Sequence, residues 1–239
     1  MIDPPPGWRL RAFEALDSTS SLCRQLAEAG EPERLAIVAR RQNAGRGTQG
    51  RSWVSPPGNL YLSVLLRPTE PARAVAQWSL LAAVALAEAV ATVVPAVRLK
   101  WPNDLVVDGA KLAGILCESA LDADGGLAWL VVGFGVNVAT APDVPGRATT
   151  SLGGAVTADA LVAPILRNLD RLRLERLRDG FGPIRAAWLA RAPELGTHLT
   201  IRAGDRPIVG GAFAGLDDDG QLLLSAGGRV RAFAAGETA

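Results

Sequence analysis

Residues 100–116 read KWPNDLVVDGAKLAGIL, and this stretch gives the strongest local prediction of the fold. Short aliphatic runs predict three strands, over residues 97–101, 105–107 and 111–117. Asp108-Gly109 lies between the last two runs, and an Asp-Gly pair favours a two-residue β-hairpin turn. Neighbouring antiparallel strands would bring four polar side chains towards one end of a sheet. These are Lys100, Asn103, Asp104 and Lys111.

These four side chains have the chemistry of a phosphate site. A lysine neutralises a carboxylate or a transferring phosphoryl group, and a carboxylate such as that of Asp104 holds Mg²⁺. Of the 25 cationic residues only Lys100 and Lys111 are lysines. A nucleotide bias towards arginine codons explains this rarity, but so does a need for a compact ammonium where a guanidinium would not fit. A second interpretation also remains: the residues form a charged hairpin beside a core tryptophan and bind no ligand.

A glycine-rich segment, GRGTQG at residues 45–50, fits the pattern GxGxxG. Dinucleotide-binding proteins continue this pattern into a helix, which Pro56-Pro57-Gly58 precludes here. The chain has neither the Gly-Lys-Ser/Thr of a P-loop nor the HRD and DFG of a protein kinase. The loop is rich in backbone donors and flanked by Arg46 and Arg51, which suits an anion such as phosphate. An ordinary surface turn is the alternative.

A third motif, GFGVN at residues 133–137, ends a predicted strand over residues 127–138. Glycines inside a strand often mark the close approach of a ligand or of another backbone. A β-bulge without a ligand explains the two glycines equally well.

The remaining pattern predicts an α+β protein in two parts. Helices are predicted over residues 20–29, 72–94, 158–178 and 184–192. Further strands are predicted over residues 8–16, 35–39 and 60–66. From Leu195 the pattern changes to short strands, over residues 198–202, 208–214, 221–225 and 230–234, with turns between them that include residues 204–207. We therefore predict a large domain over residues 1–194 and a small β-barrel over residues 195–239.

Composition and charge argue against several classes of protein. The 239 residues are 49% hydrophobic, enough for a sizeable core, and a net charge of +1 lacks the basic footprint of nucleic-acid-binding proteins. Arginines and leucines alternate over residues 167–178, which predicts the solvated face of an amphipathic helix. Polar residues and Pro95 interrupt the apolar stretch 72–97, so we predict a buried helix and no membrane span.

Cysteine usage and the N-terminus predict a cytoplasmic protein. Cys23 and Cys117 form no CxxC, and so few cysteines are typical of a reducing compartment. The start MIDPPPGWRL has no basic segment followed by an apolar core, so no signal peptide is predicted. The single histidine, His198, argues against mechanisms that need several histidines.

Five motifs in order resemble the catalytic domain of biotin–protein ligases. They are DSTSS (17–21), GRGTQGRSW (45–53), KWPND (100–104), KLAGIL (111–116) and GFGVN (133–137). The C-terminal stretch around LDDDGQLLL (216–224) is similar to the small SH3-like domain of that family. The resemblance covers nearly the whole chain, and the order and spacing of the motifs make it specific.

The resemblance implies a fold and a two-step reaction. The fold would be a mixed sheet flanked by helices, as in class II aminoacyl-tRNA synthetases and biotin ligases, with an SH3-like β-barrel. The biotin carboxylate would attack the α-phosphorus of ATP, with Mg²⁺, to give biotinyl-5′-AMP and pyrophosphate. A lysine of the biotin carboxyl carrier domain of an acyl-CoA carboxylase would then accept the biotinyl group. No winged helix-turn-helix precedes Asp17, which implies a ligase that binds no nucleic acid. The ligase would be a monomer or a homodimer.

The resemblance also implies roles for residues. Catalytic positions are matched by Lys111, Arg46 and Asp104, with Asp104 on the Mg²⁺ side. Biotin-binding positions are matched by Ser18, Thr19, Ser20, Gln42, Gly45, Arg46, Lys111 and Gly133. Nucleotide-binding positions are matched by Arg46, Gly47, Arg51, Trp53, Lys100, Asn103, Asp104 and Asn137. For Trp53 a role in loop closure and a purely structural role are both open.

The chain departs from the family pattern at one position, and two alternative functions stay open. Many bacterial members read GRGR in the loop, and here Thr48 replaces the second arginine. The lost cation would weaken retention of the adenylate unless Arg51 compensates. A lipoate–protein ligase shares the fold and the two-step chemistry but lacks the GRGxxGRxW loop in this form. A biotin-binding sensor without catalysis has no need of the charges of Lys111 and Asp104.

Overall fold

The computed structural model describes residues 2–202 and 208–238, in which the larger of two sheets has seven strands. These are β1 (Arg9–Leu16), β2 (Leu35–Gln42), β3 (Leu60–Leu66), β4 (Arg98–Lys100), β5 (Asp104–Val107), β6 (Ala110–Leu121) and β7 (Leu127–Val136). Their order across the sheet is β1-β2-β3-β7-β6-β5-β4. β1 and β2 are parallel and the other neighbours are antiparallel, so the sheet is mixed.

Three of the four helices cover the two faces of this sheet, and the last helix packs against the second and third. The helices are α1 (Thr19–Glu28), α2 (Val75–Ala91), α3 (Ala158–Asp179) and α4 (Gly182–Leu189). Alternate residues of β2 belong to different cores: Leu35 and Ile37 pack with Cys23 of α1, whereas Ala36 and Val38 pack in the core of α2 and α3. Side chains of a strand point to opposite faces in turn, so a strand buried on both faces is apolar throughout. The predicted α+β class is confirmed.

The smaller sheet is antiparallel and follows α4 in the chain. Its strands are β8 (His198–Arg202), β9 (Val209–Leu216), β10 (Leu222–Ala226), β11 (Arg229–Phe233) and β12 (Glu237–Thr238), in the order β11-β10-β9-β8-β12. The sequence pattern predicted the first four of these strands but not β12. The predicted turn over residues 204–207 lies outside the described residues. The predicted boundary at 194/195 falls between α4 and β8, and it stays a prediction.

The small sheet is anchored to the large domain through Trp101. The indole Nε1 of Trp101 donates to the carbonyl oxygen of Gly220 at 3.2 Å, and the hydroxyl of Thr238 donates to the Trp101 carbonyl oxygen at 2.9 Å. On α4, Arg185 forms an ion pair with Asp218 at 2.6 Å. These contacts fix β12 next to β4 and the start of the β5–β6 hairpin.

The Asp-Gly turn predicted between β5 and β6 is confirmed. Asp108 has φ of 49° and Gly109 has φ of 78°, which is the left-handed pair of a type I′ hairpin turn. In the hairpin, Asp104 pairs with Gly114 and Val106 pairs with Lys111. This register brings Asp104 and Lys111 together, as the sequence predicted, but Lys100 lines a different cavity.

The apolar stretch after Ala72 forms a core helix. By length and composition the helix Ala72–Ala91 could cross a membrane, but 67% of its most apolar window is buried inside the protein. Trp78, Leu81 and Leu86 are almost completely buried in the core between α2, α3 and the sheet. The prediction of a buried helix is confirmed.

The arginine-rich run of α3 was predicted to be a solvated face, and for Arg176 this is wrong. Its side chain is only 9% exposed and forms an ion pair with Glu70. The guanidinium lies 5.2 Å from the centroid of the Trp78 ring, and the Trp78 indole donates to Glu70 at 2.6 Å. Because Glu70 and Trp78 come from another part of the chain, helical periodicity alone could not reveal this cluster.

Both thiols should resist chemical modification in the folded protein. Burial raises the pKa of Cys23 and the pKa of Cys117 to about 12, so almost no thiolate is present near neutral pH. We expect a thiol-specific disulfide reagent to react slowly with the native protein. After denaturant is added, the reagent should react rapidly with both cysteines. Absorbance of the released thiol measures this. A fast-reacting thiol in the native protein would contradict the expectation.

Candidate active site

A cleft of about 450 Å³ lies between the start of α1, the loop over residues 45–53 and the strands β6 and β7. Ten of the residues singled out in the sequence line it: Ser18, Thr19, Ser20, Gln42, Arg46, Gly47, Trp53, Asn103, Lys111 and Gly133. Nine of them come from the five motifs and Gln42 from the end of β2, and the sheet brings them to one place.

One end of the cleft is lined by a fixed network of hydroxyl and amide groups. Ser63, buried in β3, donates to the Thr19 hydroxyl at 2.8 Å and lies 3.1 Å from the Ser20 hydroxyl. The Thr19 backbone N–H and hydroxyl both donate to Gln42 Oε1, at 2.8 and 3.1 Å. A backbone N–H can only donate, so the Gln42 atom that faces it must be the amide oxygen. The network therefore has a defined direction.

Glycines of β6 and β7 make room in the floor of the cleft. A Cβ at Gly133 would lie 2.6 Å from the Ser20 hydroxyl, and one at Gly135 would lie 2.6 Å from the Trp53 indole. A Cβ at Gly114 would be less crowded, at 3.2 Å from the indole and 3.1 Å from the Lys111 amine. The GFGVN motif therefore marks a close approach of side chains to the sheet.

Lys111 lies at the centre of the cleft and is paired with Asp104. Its Nζ donates to Asp104 Oδ1 at 2.5 Å and lies 5.3 Å from the centroid of the Trp53 ring. Both side chains are largely buried, at 13% and 15% exposure. Burial lowers the pKa of Lys111 below its usual value, and the neighbouring Asp104 carboxylate opposes this shift. An ammonium in such a dry position interacts with an anion more strongly than one in water.

The arginines of the site are held by carboxylates from distant parts of the chain. Arg46 forms two contacts with Glu118 of β6, at 2.8 and 3.2 Å. Arg51 pairs with Glu237 of β12, and Arg147 approaches the same carboxylate at 3.5 Å. Burial raises the pKa of Glu237, but the two arginines outweigh this effect, so its pKa is lowered overall. The small domain thus contributes a charged group to the rim of the site.

A second cleft, of about 1120 Å³, opens beside the first. The two share Gly47, Thr48, Trp53 and Lys111. The second cleft is also lined by Arg51, Arg147 and Asn137. Asn137 Nδ2 donates to the carbonyl oxygen of Thr150 at 3.0 Å, which ties the end of β7 to the loop before α3. Two compartments of different chemistry therefore meet at Lys111 and Trp53.

Three predicted site residues line neither cleft. Gly45 is buried beneath the loop, where its carbonyl oxygen accepts from the Trp53 N–H at 2.8 Å. Asp104 reaches the site through Lys111. Lys100 lines a separate apolar cavity between the sheet and the small domain, with Trp101 and Phe213, so the structure does not bring it to the cleft.

Several residues of the site were not predicted. They are Ser55, Ser63, Gly114, Glu118, Arg147 and Glu237. Ser63 had a local signal, because it is the single serine in the otherwise hydrophobic run LYLSVLL. Glu118 and Glu237 had none, because each is defined by an arginine that is remote in sequence.

The residues that the structure describes contain no group of three or more His, Cys, Asp and Glu side chains arranged to bind a metal. Asp104 offers a single carboxylate, one oxygen of which is bound to Lys111. Mg²⁺ is often held by one or two carboxylates together with substrate phosphates and water. The site therefore fits an ion that enters with a nucleotide better than a resident metal.

The model of the biotin/lipoate A/B protein ligase family matches residues 12–137, which contain all five motifs. The chain belongs to this family. This chain is 40% identical over 220 residues to a biotin–[acetyl-CoA-carboxylase] ligase of Paracoccus denitrificans. The match covers 87% of this chain and 90% of the relative. The resemblance to biotin–protein ligases is thus confirmed.

Solved structures agree with this assignment. A biotin protein ligase from Aquifex aeolicus, in complex with biotin and ATP, superposes with a TM-score of 0.81 at 27% identity and covers 97% of each chain. A biotin protein ligase from Leishmania major, in complex with biotinyl-5-AMP, superposes with a TM-score of 0.63 at 28% identity, covering 98% of this chain and 100% of that one. The predicted fold, a biotin ligase-like mixed sheet with a small SH3-like domain, is confirmed.

Substitution of Gly133 by alanine should destabilise this ligase. The new methyl group would lie 2.6 Å from the Ser20 hydroxyl, so Ser20 must move and its contact with Ser63 is lost. Overpacking at a buried position costs about 1–3 kcal/mol. Gly182→Ala is a matched control, because a Cβ at Gly182 meets no atom within 4 Å. Urea denaturation measures both variants, and equal stability of the two would contradict the expectation.

Proposed function

We propose that this protein is a biotin–protein ligase that forms biotinyl-5′-AMP from biotin and ATP and transfers the biotinyl group to a lysine of a carrier protein. The observation that carries the proposal is the meeting of a hydroxyl-lined cleft and an arginine-lined cleft at Lys111. The first suits an uncharged polar ring and the second suits phosphates. Both belong to a chain of the biotin/lipoate ligase family.

The hydroxyl end of the cleft matches the ureido ring of biotin. The Ser63 proton is donated to Thr19, so Ser20 must donate its own proton to Ser63. The Ser20 oxygen then offers lone pairs to the cleft, and a ureido N–H is a suitable donor for them. Ser18, Thr19, Gln42 and Gly133 line the same cleft and would complete its shape, and Gly45 would support Gln42 from beneath.

In the first step two anions must approach each other. The biotin carboxylate oxygen attacks the α-phosphorus of ATP, the bond from that phosphorus to the bridging oxygen breaks, and pyrophosphate leaves. Lys111 and Arg46 lie where they can neutralise the carboxylate and the α-phosphate, so the protein contributes chiefly position and charge. Trp53, over Lys111, would exclude water from the mixed anhydride.

The nucleotide would occupy the second cleft. Gly47, Arg51, Trp53 and Asn137 line it, whereas Asn103 lines the first cleft. Mg²⁺ would arrive with the ATP phosphates and use the free oxygen of Asp104. Lys100 is the least supported of the predicted nucleotide contacts, because it lies at the cavity beside the small domain.

In the second step a carrier lysine attacks the anhydride carbonyl carbon, AMP leaves and an amide bond forms. The attacking amine must be neutral and loses a proton as the bond forms. We propose the biotin carboxyl carrier domain of an acyl-CoA carboxylase as the acceptor, and the cytoplasm as the location, since the two cysteines are free thiols. A monomer and a homodimer are both compatible with this chemistry.

Exchange of labelled pyrophosphate into ATP tests the first step. We expect biotin-dependent exchange with the wild-type protein, because adenylate formation is reversible, and no exchange with lipoate. Exchange with lipoate alone would replace the proposal by a lipoate ligase. Tight biotin binding without exchange would replace it by a biotin sensor.

Removal of the central cation should nearly abolish this exchange. Lys111→Ala deletes the ammonium at the junction of the clefts, and we expect the rate to fall by about 100-fold or more. Arg98→Ala is the matched control, since it also removes one positive charge, from an exposed position on β4. A rate near that of the wild type for Lys111→Ala would exclude the proposed role of this lysine.

The threonine in the glycine-rich loop should weaken retention of the adenylate. Arg51 donates to the Thr48 hydroxyl and carbonyl oxygen, at 3.1 and 3.2 Å, and pairs with Glu237, so it is already engaged. We expect Thr48→Arg to slow dissociation of biotinyl-5′-AMP several-fold, most strongly at low salt. Stopped-flow displacement measures the rate, with Thr48→Gln as the uncharged control. Equal rates in all three proteins would contradict the expectation.

A further inference from the structure

Gln42 connects the hydroxyl end of the cleft to Ser55, on the far side of the glycine-rich loop. Gln42 Nε2 donates to the Ser55 hydroxyl at 3.0 Å, and this hydroxyl donates to the carbonyl oxygen of Trp53 at 2.8 Å. Ser55 is buried, with 9% of its surface exposed. A continuous series of hydrogen bonds therefore runs from Ser63 through Thr19 to Trp53.

The series ends where the loop closes on itself. The Trp53 N–H donates to the carbonyl oxygen of Gly45 at 2.8 Å, so the two ends of the segment that carries Arg46 are joined. Packing at this point is tight, because a Cβ at Gly45 would lie 2.3 Å from the Trp53 oxygen and 2.5 Å from the Ser55 hydroxyl. A shift of Ser55 would therefore move both ends of the loop.

We propose that Ser55 is a positioning residue that couples recognition of the ureido ring to the placement of Arg46 and Trp53 over the reacting carboxylate. This rests on the proposed function. The Gln42 amide is fixed by two donors from Thr19, and a ring packed against Thr19 and Gln42 holds it in that orientation. Its other end then holds Ser55 in place. Such coupling is reciprocal, so correct placement of the loop also strengthens binding of the ring.

A serine suits this position because the link needs one acceptor and one donor on the same atom. The hydroxyl accepts from Gln42 and donates to Trp53, whereas an alanine does neither. A threonine retains both functions. Ser55 does not line the cleft, so it acts through its neighbours.

A double-mutant cycle on biotin affinity tests the coupling. Isothermal titration with biotin, without ATP, compares the wild type, Arg46→Ala, Ser55→Ala and the double variant. We expect Ser55→Ala to weaken binding about tenfold, as for the loss of one or two hydrogen bonds. The double variant should bind no more weakly than the weaker single variant, because Arg46 contributes only when Ser55 places it. Additive losses would overturn the proposal.

Further variants separate positioning from general destabilisation. Ser55→Thr should restore most of the affinity, and Thr69→Ala, which removes an exposed hydroxyl that lines neither cleft, should leave it unchanged. In pyrophosphate exchange, Ser55→Ala should raise KM for biotin more than KM for ATP, because Trp53 also lines the nucleotide cleft. Equal increases in both KM values, or wild-type affinity in Ser55→Ala, would overturn the proposal. A wild-type protein that binds no biotin would instead refute the proposed function.

Discussion

The ion pair between Lys111 and Asp104 is the constraint on which the rest of the site depends. Two largely buried, opposite charges in contact stabilise each other, and removal of either would leave an uncompensated charge in a dry position. The β5–β6 hairpin satisfies this constraint, since its left-handed Asp108-Gly109 turn brings the two residues together. Trp53 closes over the ammonium from the opposite side. The hairpin, the loop and the cleft are therefore a single arrangement built around one lysine.

The other cations of the site follow the same principle with carboxylates from more distant places. Arg46 is held by Glu118 of the central sheet, and Arg51 and Arg147 converge on Glu237 of the small domain. An adenylate-forming site must attract anions, and unpaired arginines around one cleft would repel each other. Neutralisation by the protein's own carboxylates reduces that repulsion, and a ligand can then exchange with a carboxylate at modest cost. Contact of Glu237 with both arginines also explains why the small domain is adjacent to the active site.

The polar end of the cleft shows how a network can be specific without being charged. Ser63, Thr19 and Gln42 each have a defined donor and acceptor, so the cleft presents a fixed pattern to a polar ring. The network lies on α1, on the fully buried strand β3 and at the end of β2. Rigid elements hold such a pattern more accurately than a loop does. The loop over residues 45–53, in contrast, is connected to the rest of the protein chiefly by its own arginines, through Glu118 and Glu237, and is closed by the Trp53–Gly45 hydrogen bond.

The sequence by itself determined the element types, the Asp-Gly hairpin and the order of the five motifs, because these depend on local periodicity, turn chemistry and residue identity. It also placed most of the cleft, since Lys111, Asn103 and Gly133 lie within motifs. Only the tertiary structure decided which charges meet: Glu118 and Glu237 are paired across 72 and 186 residues of chain, and no local pattern encodes such contacts. It also set Lys100 apart from Lys111, although both lie in one motif-rich stretch. The physical reason is that strand pairing and domain docking fix the direction of each side chain, and those long-range contacts form only when the whole sheet is assembled.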